Sequence, residues 1–207
     1  SRDSDFFQSI YHAPDANDVR TDSLHNRFTE ADAIVEKGIT EKAYPGAVLL
    51  VGNRNGILYQ KAYGRFTYDL SSPSVEVSSI FDLASVTKVV ATTTATMLCI
   101  DRKLFHLEDK VSAYIPEFAA RGKGNVTIRH LLLHTSGLRA FDTYYKKYTK
   151  PEQVLAAIYD DTLVYTTGSK TTYSDLGIIT LGKLIERVTG KGLDVFCYEE
   201  IFQPLGM

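Results

Sequence analysis

The sequence predicts an α+β protein in which one β-hairpin follows an amphipathic helix and a mostly helical region forms the rest. Three observations support this fold class. Apolar residues recur at helical spacing early in the chain, two apolar runs flank an Asn-Gly turn, and almost every periodic segment from Ser85 onward has the helical period. With 44% hydrophobic and 23% charged residues among 207, the chain has the composition of a folded globular protein.

The first predicted elements are a helix over residues 24–42 and a hairpin after it. The apolar positions of the helix are spaced by three and four residues and end before Gly38: Leu24, Phe28, Ala31, Ile34 and Val35. Two strands follow over residues 46–51 and 57–63, and Gly56 between them supplies the positive φ that a tight hairpin turn requires. Because a two-stranded sheet is marginal and leaves unpaired edges, we expect further strands to complete it.

The rest of the chain is predicted to be helical. Residues 85–104 form the longest apolar segment, and their apolar side chains cover so much of the circumference that we expect this helix to be buried on most sides. Thr127 is a suitable N-cap for a short helix that reaches Leu133 and is closed by Gly137. Three further helices are predicted to begin near Pro151, Asp175 and Leu193, and the last two end at Gly190 and before Pro204.

Net charge, cysteine spacing and the length of apolar runs argue against nucleic-acid binding, a cysteine metal site and a membrane span. Lys and Arg number 23 against 25 Asp and Glu, so the net charge of −2 offers no basic footprint for nucleic acid. Cys99 and Cys197 fall in predicted helices without metal-ligand spacing, and we expect buried free thiols, with a disulfide as the alternative. No apolar run approaches the roughly 18 residues of a membrane span, so no membrane span is predicted.

Ser85 and Lys88 form a Ser-x-x-Lys pair at the start of the longest predicted helix. Three residues are nearly one helical turn, which brings the Lys88 amine back over the Ser85 hydroxyl. A half-buried lysine loses affinity for its own proton, so it could accept the proton of a serine nucleophile. The backbone N–H groups at the helix N-terminus point at the same place and are suited to stabilise a developing oxyanion. The pair alone is weak, because roughly one arises by chance in such a chain. Its alternative is an N-cap serine with a surface lysine one turn later.

A second cluster, Tyr173-Ser174-Asp175, stands just before another predicted helix. A tyrosine near a lysine cation has its phenolate favoured and could accept the proton of a serine nucleophile. Ordinary aromatic packing is the alternative for Tyr173, since the chain has 13 tyrosines.

These motifs, taken in order with the stretch that connects them, resemble the serine β-lactamase and penicillin-binding-protein superfamily. The similarity is to the branch of class C β-lactamases, D-alanyl-D-alanine carboxypeptidases and lactamase-like esterases, and it extends over residues 45–207. The ordered set is far more specific than any single motif. Its three segments are Ser85-Val86-Thr87-Lys88, Val126 to Leu138 with His134-Thr135-Ser136-Gly137, and Tyr173-Ser174-Asp175.

The resemblance implies a β-lactamase/transpeptidase-like fold and a role for each motif residue. Ser85 would be the acylated nucleophile, Lys88 its proton partner, and Tyr173 the general base that later protonates the leaving group. Asp175 would contact Lys88 and the substrate amide, where the family has Asn or Asp. Because an aspartate has no N–H donor, a contact that needs one is not expected. The resemblance implies no metal ion and no organic cofactor.

The family's third motif, of the type Lys/His-Thr/Ser/x-Gly, lies on a strand beyond the position of Met207. That strand would supply one of two oxyanion donors, and the loss of one donor costs on the order of a hundredfold in rate. We therefore expect residues 23–207 to be an incomplete β-lactamase-like domain, in which 23–70 form the helix and hairpin and 71–207 the helical region. Residues 1–22 are expected to be a leader or linker. Such a chain would keep its nucleophile but turn over poorly.

The function expected from the resemblance is hydrolysis of an amide or ester, through an acyl-enzyme on Ser85. The substrate would be a β-lactam, a D-alanyl peptide or a small ester. A carboxylesterase and a non-catalytic module that binds peptidoglycan or another protein are the alternatives. The expected partners are a small-molecule or peptidoglycan-derived substrate, and the missing C-terminal part or an upstream domain. An extracytoplasmic location, periplasmic or secreted, follows from the resemblance alone.

Two further groups of residues are expected to be structural. His130 and His134 could share one helix face, but no third ligand lies nearby and no Glu stands between them as in His-Glu-x-x-His, so zinc is not expected. We expect His134 to be a helix-end histidine that bonds to backbone carbonyls. The tyrosine- and lysine-rich residues 144–150 are expected to form a solvated loop, with a loop that lines the substrate cleft as the alternative.

Overall fold

The computed structural model describes residues 28–207, so the predicted leader and the first residues of the predicted N-terminal helix lie outside the described residues. The described chain divides into two compact units, and the division falls between Asp82 and Leu83. Within residues 28–207, no helix combines the length and the apolar character that crossing a bilayer requires.

In the described part of the first unit, residues 28–82, the chain forms one helix and one antiparallel hairpin, as the sequence predicts. Helix α1 spans Thr29–Thr40, and strands β1 (Gly46–Asn53) and β2 (Gly56–Gly64) pair along their length. At the turn, Gly56 has a φ of 129°, and the Asn55 backbone N–H donates to Asn53 Oδ1 at 2.8 Å. Glycine is therefore required at the turn, because this backbone conformation is strained for any residue with a side chain.

Asp32 joins α1 to β2. Its carboxylate accepts hydrogen bonds from the hydroxyls of Tyr59 and Tyr63, and from Lys61 Nζ at 3.1 Å. Hydrogen bonds from Tyr59 and Tyr63 lower the pKa of Asp32, although partial burial opposes them. The helix is thus fixed to the sheet by a charged cluster rather than by a buried apolar face.

The second unit is built from helices joined by loops. The five predicted helices are present. Three pieces accompany them without a periodic signal, because two have only four residues and the third, a 3-10 segment, is interrupted by a kink. In chain order the helical pieces are a π-helical turn (Lys88–Thr93) continued by α2 (Thr94–Asp101), α3 (Val111–Tyr114), a kinked 3-10 segment (Pro116–Asn125), α4 (Ile128–Leu132), α5 (Tyr144–Lys147), α6 (Pro151–Asp160), α7 (Asp175–Thr189), and α8 (Leu193–Cys197) continued by a π-helical turn (Tyr198–Phe202).

Helix α7 lies at the centre of the second unit. It contacts α2, α3, α4, α6 and α8, and its Leu181 and Leu184 side chains are fully buried. It ends at Gly190, whose φ of 69° is the left-handed conformation that commonly closes a helix. Cys99 and Cys197 are buried and free, as the sequence predicts.

The helix that follows Ser85 is buried on one face only, so the prediction that it is buried on most sides is wrong. Its small residues Ala91, Ala95 and Cys99 are buried where the helix meets α7 and α8. Val89 and Met97 are each 63% exposed. An apolar circumference allows burial, but burial also requires a facing element, and the small side chains determine which face the neighbouring helices approach.

Candidate active site

Ser85 stands at a strained entry to its helix. Ala84, immediately before it, has a φ of 44°, in the left-handed region that alanine rarely adopts. The chain then enters the π-helical turn that begins at Lys88. Strained residues and π-helical turns both concentrate at functional sites, and here they occur together at the predicted nucleophile.

Lys88 lies between Ser85 and Asp175. Its Nζ donates to Ser85 Oγ at 3.0 Å and lies 2.9 Å from Asp175 Oδ1. The Lys88 side chain is only 18% exposed, whereas that of Asp175 is 47% exposed. The serine hydroxyl is therefore an acceptor for a lysine that is itself fixed by a carboxylate from the first residue of α7.

The Tyr173 phenol completes the group. Hydrogen bonds with Ser85 and Lys88 lower its pKa below the ordinary tyrosine value, and Lys88 Nζ lies 4.9 Å from the centre of its ring. The ring is 52% exposed. The structure thus brings together all four residues that the sequence singled out: Lys88 contacts both the Ser85 hydroxyl and the Asp175 carboxylate, and the Tyr173 ring lies beside the Lys88 ammonium.

The direction of the Lys88 pKa differs from the expectation that this lysine loses affinity for its proton. Burial lowers the pKa, but hydrogen bonds to Asp175 and Tyr173 outweigh burial, and the pKa is raised above the ordinary lysine value. Lys88 is therefore held as a cation at neutral pH. The group whose pKa moves toward neutrality is the phenol of Tyr173, which favours the tyrosine as the proton acceptor.

The turn that carries Tyr173 is fixed by residues 134–140, which we call the clamp segment. Backbone and side-chain groups on both sides of Tyr173 bond to it. These bonds are Thr172 N–H to His134 O (2.8 Å), Ser174 Oγ–H to Arg139 O (2.7 Å) and Asp175 N–H to Ala140 O (2.7 Å). Ser174 Oγ also accepts from the Gly177 N–H at 3.2 Å and so caps α7. The clamp segment and the helix cap together determine where the phenol lies.

At Gly137, the clamp segment passes very close to the backbone of Tyr165. The φ of Gly137 is 95°, and a Cβ placed on it would lie 2.5 Å from the Tyr165 carbonyl oxygen. The loop before Tyr173 packs on the clamp segment through the Gly168 N–H to Thr135 O (2.8 Å) and Thr167 Oγ1–H to Ser136 O (2.9 Å). Gly137 is thus required both for its backbone conformation and for lack of space.

His134 does not bond to backbone carbonyls through its ring, so that prediction is wrong. Its Nδ1 accepts a hydrogen bond from the Ser174 N–H at 3.1 Å, and its ring centre lies 4.7 Å from that of Tyr173. His130 Nδ1 instead accepts from the Thr127 N–H at 3.1 Å in the cap of α4. Among the described residues, no three His, Cys, Asp or Glu side chains are grouped to hold a metal ion.

Comparisons with known proteins show which family this chain resembles. Residues 31–207 match the family model described as Beta-lactamase. A Bacillus subtilis (strain 168) protein named N-acetylmuramyl-L-alanine amidase is 33% identical over 86% of this chain and 45% of its own length. An Escherichia coli (strain K12) protein, provisionally named D-alanyl-D-alanine carboxypeptidase, is 33% identical over 87% of this chain and 46% of its own length.

A solved structure shares the fold as well. EstCE1, described as a hydrolase with promiscuous acyltransferase activity, is 29% identical with a TM-score of 0.74, over 89% of this chain and 52% of its own. The chain spans about half the length of the relatives that it matches.

Proposed function

The chain belongs to the beta-lactamase family of hydrolases and has its α+β β-lactamase/transpeptidase-like fold, and on this premise we propose that it cleaves an amide of a peptidoglycan-derived peptide through an acyl-enzyme on Ser85. One observation carries the proposal: Lys88 Nζ donates to Ser85 Oγ at 3.0 Å and lies 4.9 Å from the centre of the Tyr173 ring, so that the serine, the lysine and the tyrosine stand at one site.

The acylation step uses Tyr173 as the base. As the phenolate takes the Ser85 hydroxyl proton, Oγ attacks the carbonyl carbon of the amide and forms the new C–O bond. The C–N bond then breaks, and the phenol passes its proton to the leaving nitrogen, which departs as a neutral amine. The Lys88 cation supports the phenolate through this cycle, because its pKa is raised and it keeps its own proton.

In hydrolysis of the acyl-enzyme, water is the nucleophile and Ser85 Oγ is the leaving group. Water attacks the ester carbonyl while the regenerated Tyr173 phenolate accepts a water proton. The bond between the carbonyl carbon and Ser85 Oγ breaks, and the phenol returns the proton to Oγ. The products are a carboxylic acid and the free serine.

The choice of an amide rests on the relatives and on Asp175. One relative is named as an N-acetylmuramyl-L-alanine amidase and another, provisionally, as a D-alanyl-D-alanine carboxypeptidase, and both names refer to an amide substrate. The half-exposed Asp175 carboxylate is an acceptor beside the nucleophile, and an amide substrate presents an N–H that a carboxylate can bind, which an ester does not. Because peptidoglycan lies outside the cytoplasm, an extracytoplasmic location is part of the same proposal.

A carboxylesterase is the second candidate, favoured by the similarity to EstCE1. The two are separated by offering an N-acetylmuramyl-L-alanine peptide, a D-alanyl-D-alanine peptide and a short-chain p-nitrophenyl ester to the wild type. Ser85→Ala is the inactive variant, and Ser169→Ala, which alters an exposed serine of the same unit, is the matched control.

The proposal expects amide cleavage that Ser169→Ala retains and Ser85→Ala loses. Cleavage of the ester alone would establish the second candidate. Absence of any Ser85-dependent cleavage, together with retained binding of the peptides, would identify a non-catalytic binding module.

A further inference from the structure

His134 contacts Tyr173 and Ser174, but the proposed reaction gives it no role. It is partly buried, it belongs to the clamp segment, and its ring packs on the Tyr173 ring with centres 4.7 Å apart. Its backbone has a φ of 57°, a left-handed conformation that costs free energy for a histidine. A strained residue in contact with the proposed base suggests that its side chain serves the site.

The contacts of His134 determine which form of the imidazole fits. Nδ1 accepts the Ser174 N–H, so the neutral ring must carry its proton on Nε2. The His134 carbonyl accepts from the Thr172 N–H at 2.8 Å and from the Tyr165 hydroxyl at 3.1 Å. One residue therefore holds the backbone on both sides of Tyr173, through its carbonyl before the tyrosine and its imidazole after it.

We propose that His134 is a positioning residue for Tyr173, whose neutral imidazole holds the Ser174 N–H and supports the phenol against Ser85 and Lys88, and whose protonation releases it. When Nδ1 gains a proton it can no longer accept from Ser174, so two donors face each other across 3.1 Å. The inference rests on the proposed function, since positioning the phenol matters for a reaction that uses it.

The charged groups around His134 favour the neutral form. Burial lowers its pKa below the ordinary histidine value of 6.5, the Lys88 cation lowers it further, and the Asp175 carboxylate opposes both. Tyr173 and Tyr165 are the other titratable groups that contact this residue. His134 is therefore neutral at pH 7, and the release is expected only below pH 6.5.

Two substitutions separate the acceptor from the titration. Asparagine tolerates a left-handed φ, and its side-chain oxygen can occupy the place of Nδ1, so His134→Asn keeps an acceptor that does not titrate. Glycine accepts the same φ without strain, so His134→Gly removes the acceptor and the ring that packs on Tyr173 while leaving the backbone conformation unstrained. His106→Asn, at an exposed histidine elsewhere in the same unit, is the matched control.

The first readout needs no activity. The NMR shift of the Tyr173 ring carbon Cζ is followed from pH 4 to pH 11, with Tyr173→Phe to assign the signal. Besides the titration of the phenol itself, the Tyr173 signal of the wild type and of His106→Asn is expected to shift a second time below pH 6.5, as His134 is protonated. This second shift is expected to be absent in His134→Asn. In His134→Gly the main titration is expected to move back toward 10, because the bonds to Ser85 and Lys88 weaken.

The second readout is the rate of acylation of Ser85 against pH. As the pH falls below the Tyr173 pKa, the logarithm of the acylation rate is expected to fall by one per pH unit. Below the His134 pKa, the fall is expected to steepen to about two per pH unit, and only in the wild type. His134→Gly is expected to lose about tenfold to a hundredfold at every pH, as misplacement of a reacting group by about 1 Å does.

Each outcome decides one of the two ideas. If no protein is acylated but the Tyr173 signal depends on residue 134, the proposed function fails and the positioning role stands. If acylation proceeds and neither the slope nor the Tyr173 signal distinguishes His134→Asn from the wild type, the positioning role is overturned. Should His134→Gly fail to fold, the comparison of His134→Asn with the wild type still decides.

Discussion

Two opposing influences act on the Lys88 ammonium, and their balance decides which residue can be the base. Burial lowers the pKa of Lys88, whereas Asp175 and Tyr173 raise it and prevail. Sequence spacing predicted that the Lys88 amine meets the Ser85 hydroxyl, since both lie on one helical turn. It could not predict the protonation state, because Asp175 and Tyr173 reach Lys88 from a distant part of the chain. The role of His134 escaped prediction for the same reason, as its partner Ser174 is 40 residues away.

Asp175→Asn tests this balance at Lys88. Without the carboxylate, we expect the pKa of Lys88 to fall, because burial then meets less opposition. The pKa of Tyr173 is also expected to fall, because the Asp175 charge raises it. NMR titration of the Lys88 Cε and Tyr173 Cζ signals measures both. Asp142→Asn, which removes a carboxylate 2.8 Å from Lys147, is the control. An unaltered Lys88 titration in Asp175→Asn would contradict the assigned cause.

At the scale of elements, the site depends on the bonds between the clamp segment and the turn that carries Tyr173. Helix α7 and its end at Gly190 could be predicted, because periodic apolar residues and the terminal glycine leave a local signal. The hairpin of β1 and β2 was predicted from its turn for the same reason. The clamp segment has no such signal, since its bonds to the Tyr173 turn join residues that are remote in sequence. Gly137 was predicted to close the short helix after Thr127, and that prediction is wrong, because α4 ends at Leu132 and the left-handed residue that follows it is His134. The structure instead shows the close approach of Gly137 to Tyr165.

Gly137→Ala should therefore destabilise the protein through both its φ and the lack of space. A Cβ there meets the Tyr165 carbonyl at 2.5 Å, and we expect a loss of about 3 kcal/mol in the free energy of unfolding. Gly122→Ala is the matched control: its φ of 83° is also left-handed, but no atom lies within 4 Å of the added Cβ. We expect it to cost about 1 kcal/mol. Urea unfolding measures both, and equal losses would refute the steric contribution.

For the whole molecule, the family and fold could be predicted from three ordered motifs, although each motif alone was weak. What sequence patterns left open is how distant elements are joined by charges. Arg187 of α7 donates to both carboxylate oxygens of Glu117, at 2.8 and 3.0 Å, and so ties the 3-10 segment to the central helix. This contact lowers the pKa of Glu117 to about 2. Pairing of this kind depends on packing, which periodicity does not report.

Glu117→Gln should reduce the acid sensitivity of the fold. A carboxyl whose pKa is depressed in the folded state stabilises the protein above its unfolded value of 4.5, and this stability is lost as the pH falls toward 2. We expect the urea midpoint of the wild type to fall more steeply over that range than that of Glu117→Gln. Glu152→Gln, at an exposed glutamate of α6, is expected to run parallel to the wild type. A wild-type slope in Glu117→Gln would contradict the assigned pKa.

The central claim is that Tyr173 and Lys88 make Ser85 a nucleophile, and mapping the site of acylation tests it most directly. The chain is treated with a penicillin at neutral pH, and its proteolytic peptides are weighed by mass spectrometry. We expect an adduct on the Ser85 peptide in the wild type and in Ser169→Ala, none in Ser85→Ala, and formation at least about a hundredfold slower in Tyr173→Phe. An adduct absent from Ser85, or one that forms equally fast without the Tyr173 hydroxyl, would contradict the claim.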